Sequence, residues 1–215
     1  MSRATGSDSF TNVFARALQG HACVVEGLGD GLQQVPVHLW SRAADRSDAA
    51  LLDHCDGPTL DIGCGPGRMT QGLAERGHVA LGIDVVHEAV RQTRDRGVPA
   101  LVRDVFDALP GEGRWRSVLL ADGNVGIGGD PAVLLARLRQ VLDPRGRVVV
   151  DVAPPGVPLR SVWASLVCEG VRSKPFRWAV VGVDDIGALA RAAGFGTLEC
   201  HEHDGRWCAV LTEAA

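Results

Sequence analysis

A glycine-rich turn between a short apolar strand and a helix constrains this 215-residue chain more than any other segment. Residues 59–70 read TLDIGCGPGRMT, with glycines at positions 63, 65 and 67. This spacing predicts a βα unit whose turn brings bare backbone close to a ligand. Asp61 precedes the first glycine by two residues, and Asp84 ends the next apolar run, 79–83. An acid at that second position suits the hydroxyls of a ribose.

The glycine spacing argues against two other nucleotide-binding motifs. A G-x-G-x-x-G dinucleotide fingerprint starting at Gly63 needs glycine at position 68, where Arg68 stands. A Walker-type phosphate loop needs a lysine after the glycines, and Lys174 is the only lysine of the chain. The pattern therefore disfavours a nicotinamide cofactor and excludes a Walker loop.

Two further acids, Asp104 and Asp122, follow the third and fourth apolar runs in order. With them, residues 51–151 resemble the class I S-adenosylmethionine-dependent methyltransferases, whose first motif is an acid followed by three alternating glycines. Asp61, Gly63, Gly65 and Gly67 match it. The resemblance implies an α/β fold, a three-layer doubly wound and mostly parallel sheet of seven strands in the order 3-2-1-4-5-7-6. It also implies S-adenosylmethionine as cofactor and S-adenosylhomocysteine as product.

The same resemblance implies a role for each part of the cofactor site. The glycine loop would hold the methionine portion, Asp61 its ammonium and Asp84 the ribose, while Asp104 would contact adenine and Phe106 would close the pocket. A turn-forming or helix-capping carboxylate is the alternative for these acids, most of all for Asp104. We expect the cofactor-binding residues to be Asp61, Gly63, Cys64, Gly65, Gly67, Asp84, Val85, Asp104, Val105, Asp122 and Gly123.

The loop after the fourth apolar run is the predicted site of methyl transfer, because strand order reverses beside it and ligands bind at such points. It begins Asp122-Gly123-Asn124-Val125, and we predict Asp122 and Asn124 as catalytic residues. Orientation can supply most of the acceleration of an in-line displacement. If the acceptor is a phenol, hydroxyl or ammonium, Asp122 is the first base to test. Relatives that methylate nucleic-acid bases often carry Asn/Asp-Pro-Pro-aromatic here, and this chain does not.

We predict one domain with two additions to the minimal core. Residues 51–215 form the cofactor-binding domain, and residues 1–50 add a helix over 9–18 and two extended runs over 22–40 around Gly29-Asp30-Gly31. Residues 153–183 form an insertion after the fifth strand, with two extended runs. Both additions should overhang the carboxyl edge of the sheet and form the acceptor pocket. Expected lining residues are Trp40, Trp163, Trp178 and Arg160, with the core as the alternative for each tryptophan.

Composition and charge limit the kinds of partner, metal site and cell compartment that we expect for this chain. A net charge of −4 without a basic cluster disfavours nucleic acid, and the longest apolar runs fall short of a membrane span. The six cysteines lack metal-ligand spacing, so we predict no metal, no disulfide framework and reduced thiols in the cytoplasm. The polar residues 1–8 lack a secretory signal pattern.

His38, His201 and His203 fall near strand ends, and the last two share a strand face, as a metal pair, a base or solvent-facing residues.

The sequence therefore predicts a methyltransferase that acts on an oxygen or nitrogen atom of a small molecule. Two alternatives stay open at this point. One is a catalytically silent S-adenosylmethionine-binding protein that acts as a sensor or partner. The other, disfavoured by Arg68, is an NAD(P)-dependent oxidoreductase. The acceptor and the oligomeric state are not specified by the sequence.

Overall fold

A computed structural model describes residues 7–29 and 31–213. Residues 1–6 and Asp30 of the predicted turn lie outside the described residues. The N-terminal part contains α1 (Phe10–Leu18), β1 (Cys23–Glu26), β2 (Gln33–Gln34), α2 (Val37–Ser41) and α3 (Arg46–Leu52). Ser9 caps α1 by accepting from the N–H of Asn12, as a serine before a helix is expected to do.

Strands and helices alternate through the next part of the chain. They are β3 (Thr59–Ile62), α4 (Arg68–Glu75), β4 (Ala80–Asp84), α5 (His87–Asp95), β5 (Ala100–Val102), β6 (Trp115–Leu120), α6 (Pro131–Val141) and β7 (Leu142–Val152). After the insertion come α7 (Val183–Ala192), β11 (Thr197–His203) and β12 (Arg206–Thr212). The main sheet runs β11-β12-β7-β6-β3-β4-β5, with β12 antiparallel to its neighbours. This confirms the predicted fold class and strand order.

The period of two residues in the central strands explains why both faces of the sheet are covered. Val118 and Leu120 of β6 pack in the core on the side of α6 and α7, whereas Leu119 packs with residues of α3 and α4. In β7, Val148 packs on the side of α6 and α7, and Val149 packs on the side of α3 and α4. Because alternate side chains point to opposite faces, a continuous apolar run needs helices on both sides.

A second, antiparallel sheet joins the two additions to the core. The insertion contains β8 (Arg160–Cys168), β9 (Val171–Arg172) and β10 (Phe176–Val180). The sheet runs β10-β8-β1-β2, with β9 also paired to β8. Its central pairing sets Val25 of the N-terminal extension opposite Leu166 of the insertion. The sequence predicted extended runs in both segments but not that they pair with each other.

Two element boundaries differ from the prediction. Residues 37–40, predicted as the end of an extended run, belong to α2, which begins directly after Pro36. Proline lacks the N–H that a strand ladder needs, so the strand stops before it. The turn at residues 143–146 predicts that the fifth core strand runs from Gly146 to Val152. The strand begins earlier, at Leu142, because Leu142 pairs with Trp115 before an irregularity in the register.

A disulfide links Cys23 of β1 to Cys168 of β8. These residues stand directly opposite each other, with their Cα atoms 4.2 Å apart. The prediction of reduced thiols is therefore wrong for this pair, while Cys55, Cys64, Cys200 and Cys208 are free. The spacing of the cysteines could not show the pairing, since sheet formation brings together positions 145 residues apart. Within residues 7–29 and 31–213, no helix combines the length and apolarity needed to cross a membrane.

Candidate active site

The glycine loop between β3 and α4 adopts a backbone that only glycine accepts readily. Gly63, Gly65 and Gly67 have φ values of 68°, 54° and 87°, in the left-handed region. A Cβ on Gly67 would lie 2.7 Å from the hydroxyl and 2.8 Å from the Cα of Thr93 on α5. A Cβ on Gly65 would meet nothing within 4 Å, because this residue borders an open cavity. Gly67 therefore permits close helix packing, and Gly65 exposes backbone to a ligand.

Asp84, at the end of β4, holds this loop in place. One carboxylate oxygen accepts from the N–H of Gly65 at 3.0 Å, and the other accepts from the N–H of Val86 at 2.8 Å. Burial raises the pKa of Asp84, and these N–H donors oppose that effect. The sequence-predicted ribose acid thus has a fixed position at the cavity wall.

Asp61 lies deeper, at the end of β3, with 1% of its surface exposed. The hydroxyl of Thr70 on α4 donates to its carboxylate at 2.6 Å. Burial raises the pKa of Asp61 to about 7, although the hydrogen bond from Thr70 favours the charged form. Asp61 also borders the cavity, so a change in its charge alters the electrostatic potential inside the cavity.

The adenine end predicted from the sequence lies after β5. Asp104 accepts from the N–H of Phe106 at 3.0 Å, which is the turn-forming contact weighed as its alternative role. Asp104, Val105 and Phe106 all border the cavity, as does Val85 on the loop after β4. Turn formation and ligand contact are compatible here, because only one carboxylate oxygen takes part in the turn.

An ion-pair cluster lies at the other end of the loop. Arg68, only 3% exposed, donates to Asp48 and Asp122. Arg206 donates to Asp48 at 2.7 Å, to Asp151 at 2.7 Å and to Asp122 at 3.4 Å. Burial disfavours the charge of Asp48, but the hydrogen bonds from Arg68, Arg42 and the N–H of Asp45, together with the charge of Arg68, outweigh burial and hold the pKa of Asp48 well below its usual value. The cluster therefore keeps fixed charges of both signs beside the site.

Sequence reasoning missed Asp48, Asp151 and Arg206. Asp48 carries a local signal, but that signal indicates a capping box with Asp45 at the start of α3, which the structure also contains. Its contact with Arg206 joins residues 158 positions apart. Only the packing of α3 on the main sheet, where Leu51 and Leu52 share an apolar cluster with Cys208 of β12, brings the two together.

The two residues predicted as catalytic are each held by several contacts. Asp122 has a φ of 52°, and its N–H donates to Asp151 at 2.9 Å. The side-chain amide of Asn124 donates to the carbonyls of Ile62 and Gly63 at 2.9 and 3.0 Å. Asn124 thus ties the loop after β6 to the glycine loop. Both residues border the cavity, and their catalytic role stays a prediction.

The cavity has a volume of about 720 Å³, within the ~300–1,000 Å³ typical of small-molecule sites. Trp40, Trp163 and Trp178 border it as predicted, whereas Arg160 is not among the described residues that do. Of the predicted cofactor-binding residues, Gly67 and Gly123 are not among the described residues that border it. The others border it: Asp61, Gly63, Cys64, Gly65, Asp84, Val85, Asp104, Val105 and Asp122.

His201 and His203, which are predicted to share a strand face, do so on β11, an edge strand of the main sheet. The ring of His201 stacks on that of His54 with centroids 4.2 Å apart, and the ring centroid of His203 lies 6.0 Å from that of His54. Burial, and then the charges of His201 and His203, lower the pKa of His54. Neither these three residues nor His38 belongs to the described cavity lining. The described part of the chain holds no group of three or more His, Cys, Asp or Glu side chains arranged for a metal ion.

Comparison with known proteins places this geometry in context. Residues 59–146 match the family model of a methyltransferase domain. The malonyl-[acyl-carrier protein] O-methyltransferase of Salmonella typhimurium is 26% identical over 89% of this chain and 85% of its own length.

Two solved structures share the fold. An S-adenosylmethionine-dependent methyltransferase from Bacteroides fragilis, in complex with S-adenosyl-L-homocysteine, is 21% identical with a TM-score of 0.80, over 97% of this chain and 96% of that one. The 1,6-didemethyltoxoflavin-N1-methyltransferase of Burkholderia thailandensis is 21% identical with a TM-score of 0.58, over 82% and 81% of the two chains.

Proposed function

Residues 59–146 match the family model of a methyltransferase domain, and on that premise we propose that the chain transfers a methyl group from S-adenosylmethionine to an oxygen or nitrogen atom of a small molecule. The observation that carries the proposal is the glycine loop, which has three left-handed glycines, is held by Asp84 and opens on a cavity of about 720 Å³. The O- and N-methyltransferases among the similar proteins support the acceptor class.

The residues present fit such a donor. Gly65 leaves room for a ligand against the loop backbone, and among the described residues no side chain caps the N-terminus of α4. The N–H groups of its first turn would bind the donor's carboxylate. Asp61 would bind the ammonium, Asp84 the ribose hydroxyls, and Asp104 with Val105 the adenine. When bound, the donor supplies a methyl group on a sulfonium that an acceptor lone pair can attack.

The protein's part in the transfer is to orient the acceptor and to exclude water. Asp122 and Asn124 border the cavity beside the glycine loop, and their contacts keep both side chains in one place. Holding the acceptor in line with the reacting bond can supply about 7–11 kcal/mol of the barrier. In this proposal the segments 1–50 and 153–183 cap the acceptor part of the cavity, and Asp122 removes a proton from an acceptor that carries one.

Thermal unfolding with S-adenosylhomocysteine tests the cofactor site. A ligand that binds only the folded protein stabilises it by about 2.7 kcal/mol at 100 times its Kd. We expect this stabilisation in the wild-type protein and in Asp107→Ala, whose side chain is outside the cavity lining, but not in Asp84→Ala. Transfer itself is tested by incubating the protein with radiolabelled S-adenosylmethionine and an extract of its source. Binding without any labelled product would favour a silent binding protein.

A further inference from the structure

Five aromatic side chains form a continuous wall along one side of the cavity. In order, the ring centroids of Trp40 and Phe14 lie 5.8 Å apart, those of Phe14 and Phe10 5.4 Å, those of Phe10 and Phe176 4.6 Å, and those of Phe176 and Trp178 6.5 Å. All five border the cavity and are only partly buried. We call these residues the ring wall.

The ring wall belongs to the two additions and not to the methyltransferase core. Phe10 and Phe14 are four residues apart on α1 and therefore share one helix face. Phe176 and Trp178 alternate along β10 and therefore share one strand face. Pairing of β1 with β8 brings the extension and the insertion together. The ring wall therefore lines the part of the cavity to which the two additions contribute.

A cation stands beside the wall. Arg177 lies between Phe176 and Trp178 in the chain, is exposed, and borders the cavity. Its guanidinium carbon lies 5.8 Å from the ring centroid of Trp163, which is 65% exposed and also borders the cavity. When an arginine stacks on an indole, its N–H groups stay free to bind an anion that lies in the plane of the guanidinium.

We propose that the methyl acceptor is a planar aromatic molecule with an anionic substituent. This inference rests on the proposed methyltransferase function and concerns only the acceptor. The flat face of the acceptor stacks on the ring wall. Contact with the wall stabilises a bound aromatic ring more than a saturated ring of equal size. Its anionic group pairs with Arg177, where the cavity meets solvent.

Binding to the protein saturated with S-adenosylhomocysteine tests the proposal. The probes are 2-naphthoate, its saturated analogue decalin-2-carboxylate, and the neutral 2-naphthamide, each titrated by calorimetry. We expect the saturated acid to bind about 2- to 12-fold more weakly than 2-naphthoate, the range that corresponds to one aromatic pair. We expect the neutral amide to bind up to about 5-fold more weakly, as for an exposed ion pair. Equal affinity for 2-naphthoate and its saturated analogue would overturn the proposal.

Three variants separate the two contacts. Phe176→Leu should weaken 2-naphthoate and 2-naphthamide alike, whereas Arg177→Gln should weaken 2-naphthoate alone and make the two probes equal. Arg145→Gln, which removes an exposed arginine outside the cavity lining, is the matched control and should change neither. Because Arg177 is exposed, its variant tests the proposal even if Phe176→Leu does not fold. If Arg177→Gln keeps the preference for the anion, the assignment of Arg177 is wrong.

The order of the titrations keeps this inference apart from the proposed function. S-adenosylhomocysteine is titrated first into each sample. If it does not bind, the proposed function fails and the acceptor inference fails with it. If it binds and the three probes then bind equally or not at all, only the acceptor inference is overturned.

Discussion

The buried carboxyl of Asp61 makes the stability of this protein depend on pH in a direction that one substitution can test. Asp61→Asn keeps the shape of the side chain and an oxygen that can accept from Thr70, but it cannot ionise. Burial raises the pKa of Asp61 from 3.8 to about 7. At about 1.4 kcal/mol per pKa unit, this difference corresponds to about 4 kcal/mol.

The sign follows from which state keeps its proton longer. Between about pH 4 and pH 7 the folded protein holds the proton of Asp61 while the unfolded chain has released it, so stability falls as pH rises through this range. The contribution is fully present below the unfolded pKa and is lost above about pH 7. Relative to Asp61→Asn, the wild-type protein should therefore lose up to about 4 kcal/mol between about pH 4 and pH 8.

Urea unfolding of the cofactor-free protein measures this difference. The midpoint and slope are determined for both proteins from about pH 4.5 to about pH 8.5, and only the change in their difference is attributed to Asp61. The reasoning is refuted if the two stability profiles run parallel across this range.

The same carboxyl should couple cofactor binding to pH. An ammonium group beside Asp61 favours its charged form, so binding of S-adenosylmethionine below about pH 7 should release a proton. Calorimetry in buffers of different ionisation enthalpy detects this release. We expect the affinity to weaken as the pH falls below about 7 in the wild-type protein and to be much less pH-dependent in Asp61→Asn.

Four further variants test the site and the fold. Asp84→Ala should abolish binding of S-adenosylhomocysteine by calorimetry, whereas Asp122→Asn should retain it and slow methyl transfer; the reverse pattern would exchange their roles. Gly67→Ala should lower the free energy of unfolding by about 2–5 kcal/mol, since it adds left-handed strain to a steric overlap, and unchanged stability would show that α4 and α5 can separate. Replacing Cys23 and Cys168 with serine should cost about 5 kcal/mol, the entropy of closing a 145-residue loop, and an equal urea midpoint under non-reducing conditions would contradict this value.

Local signals predicted the part of the site that lies in the core. The left-handed glycines and Asp84 belong to one βα unit and its neighbouring strand, so the chain itself brings them together. The resemblance carried by these residues implied the sheet order, which the structure confirms. The methyltransferase prediction is confirmed by the match of residues 59–146. The roles of the individual site residues stay predictions.

The sequence by itself determined the βα rhythm, the glycine turn and the acids at the strand ends, because each depends on residues within one turn or one strand of each other. Only the tertiary structure decided the disulfide, the ring wall and the partners of Arg206. Their members lie far apart along the chain and meet through the second sheet or through the packing of α3 on the main sheet. Residue spacing contains no information about which distant strands will pair, since that choice minimises the free energy of the whole packed chain.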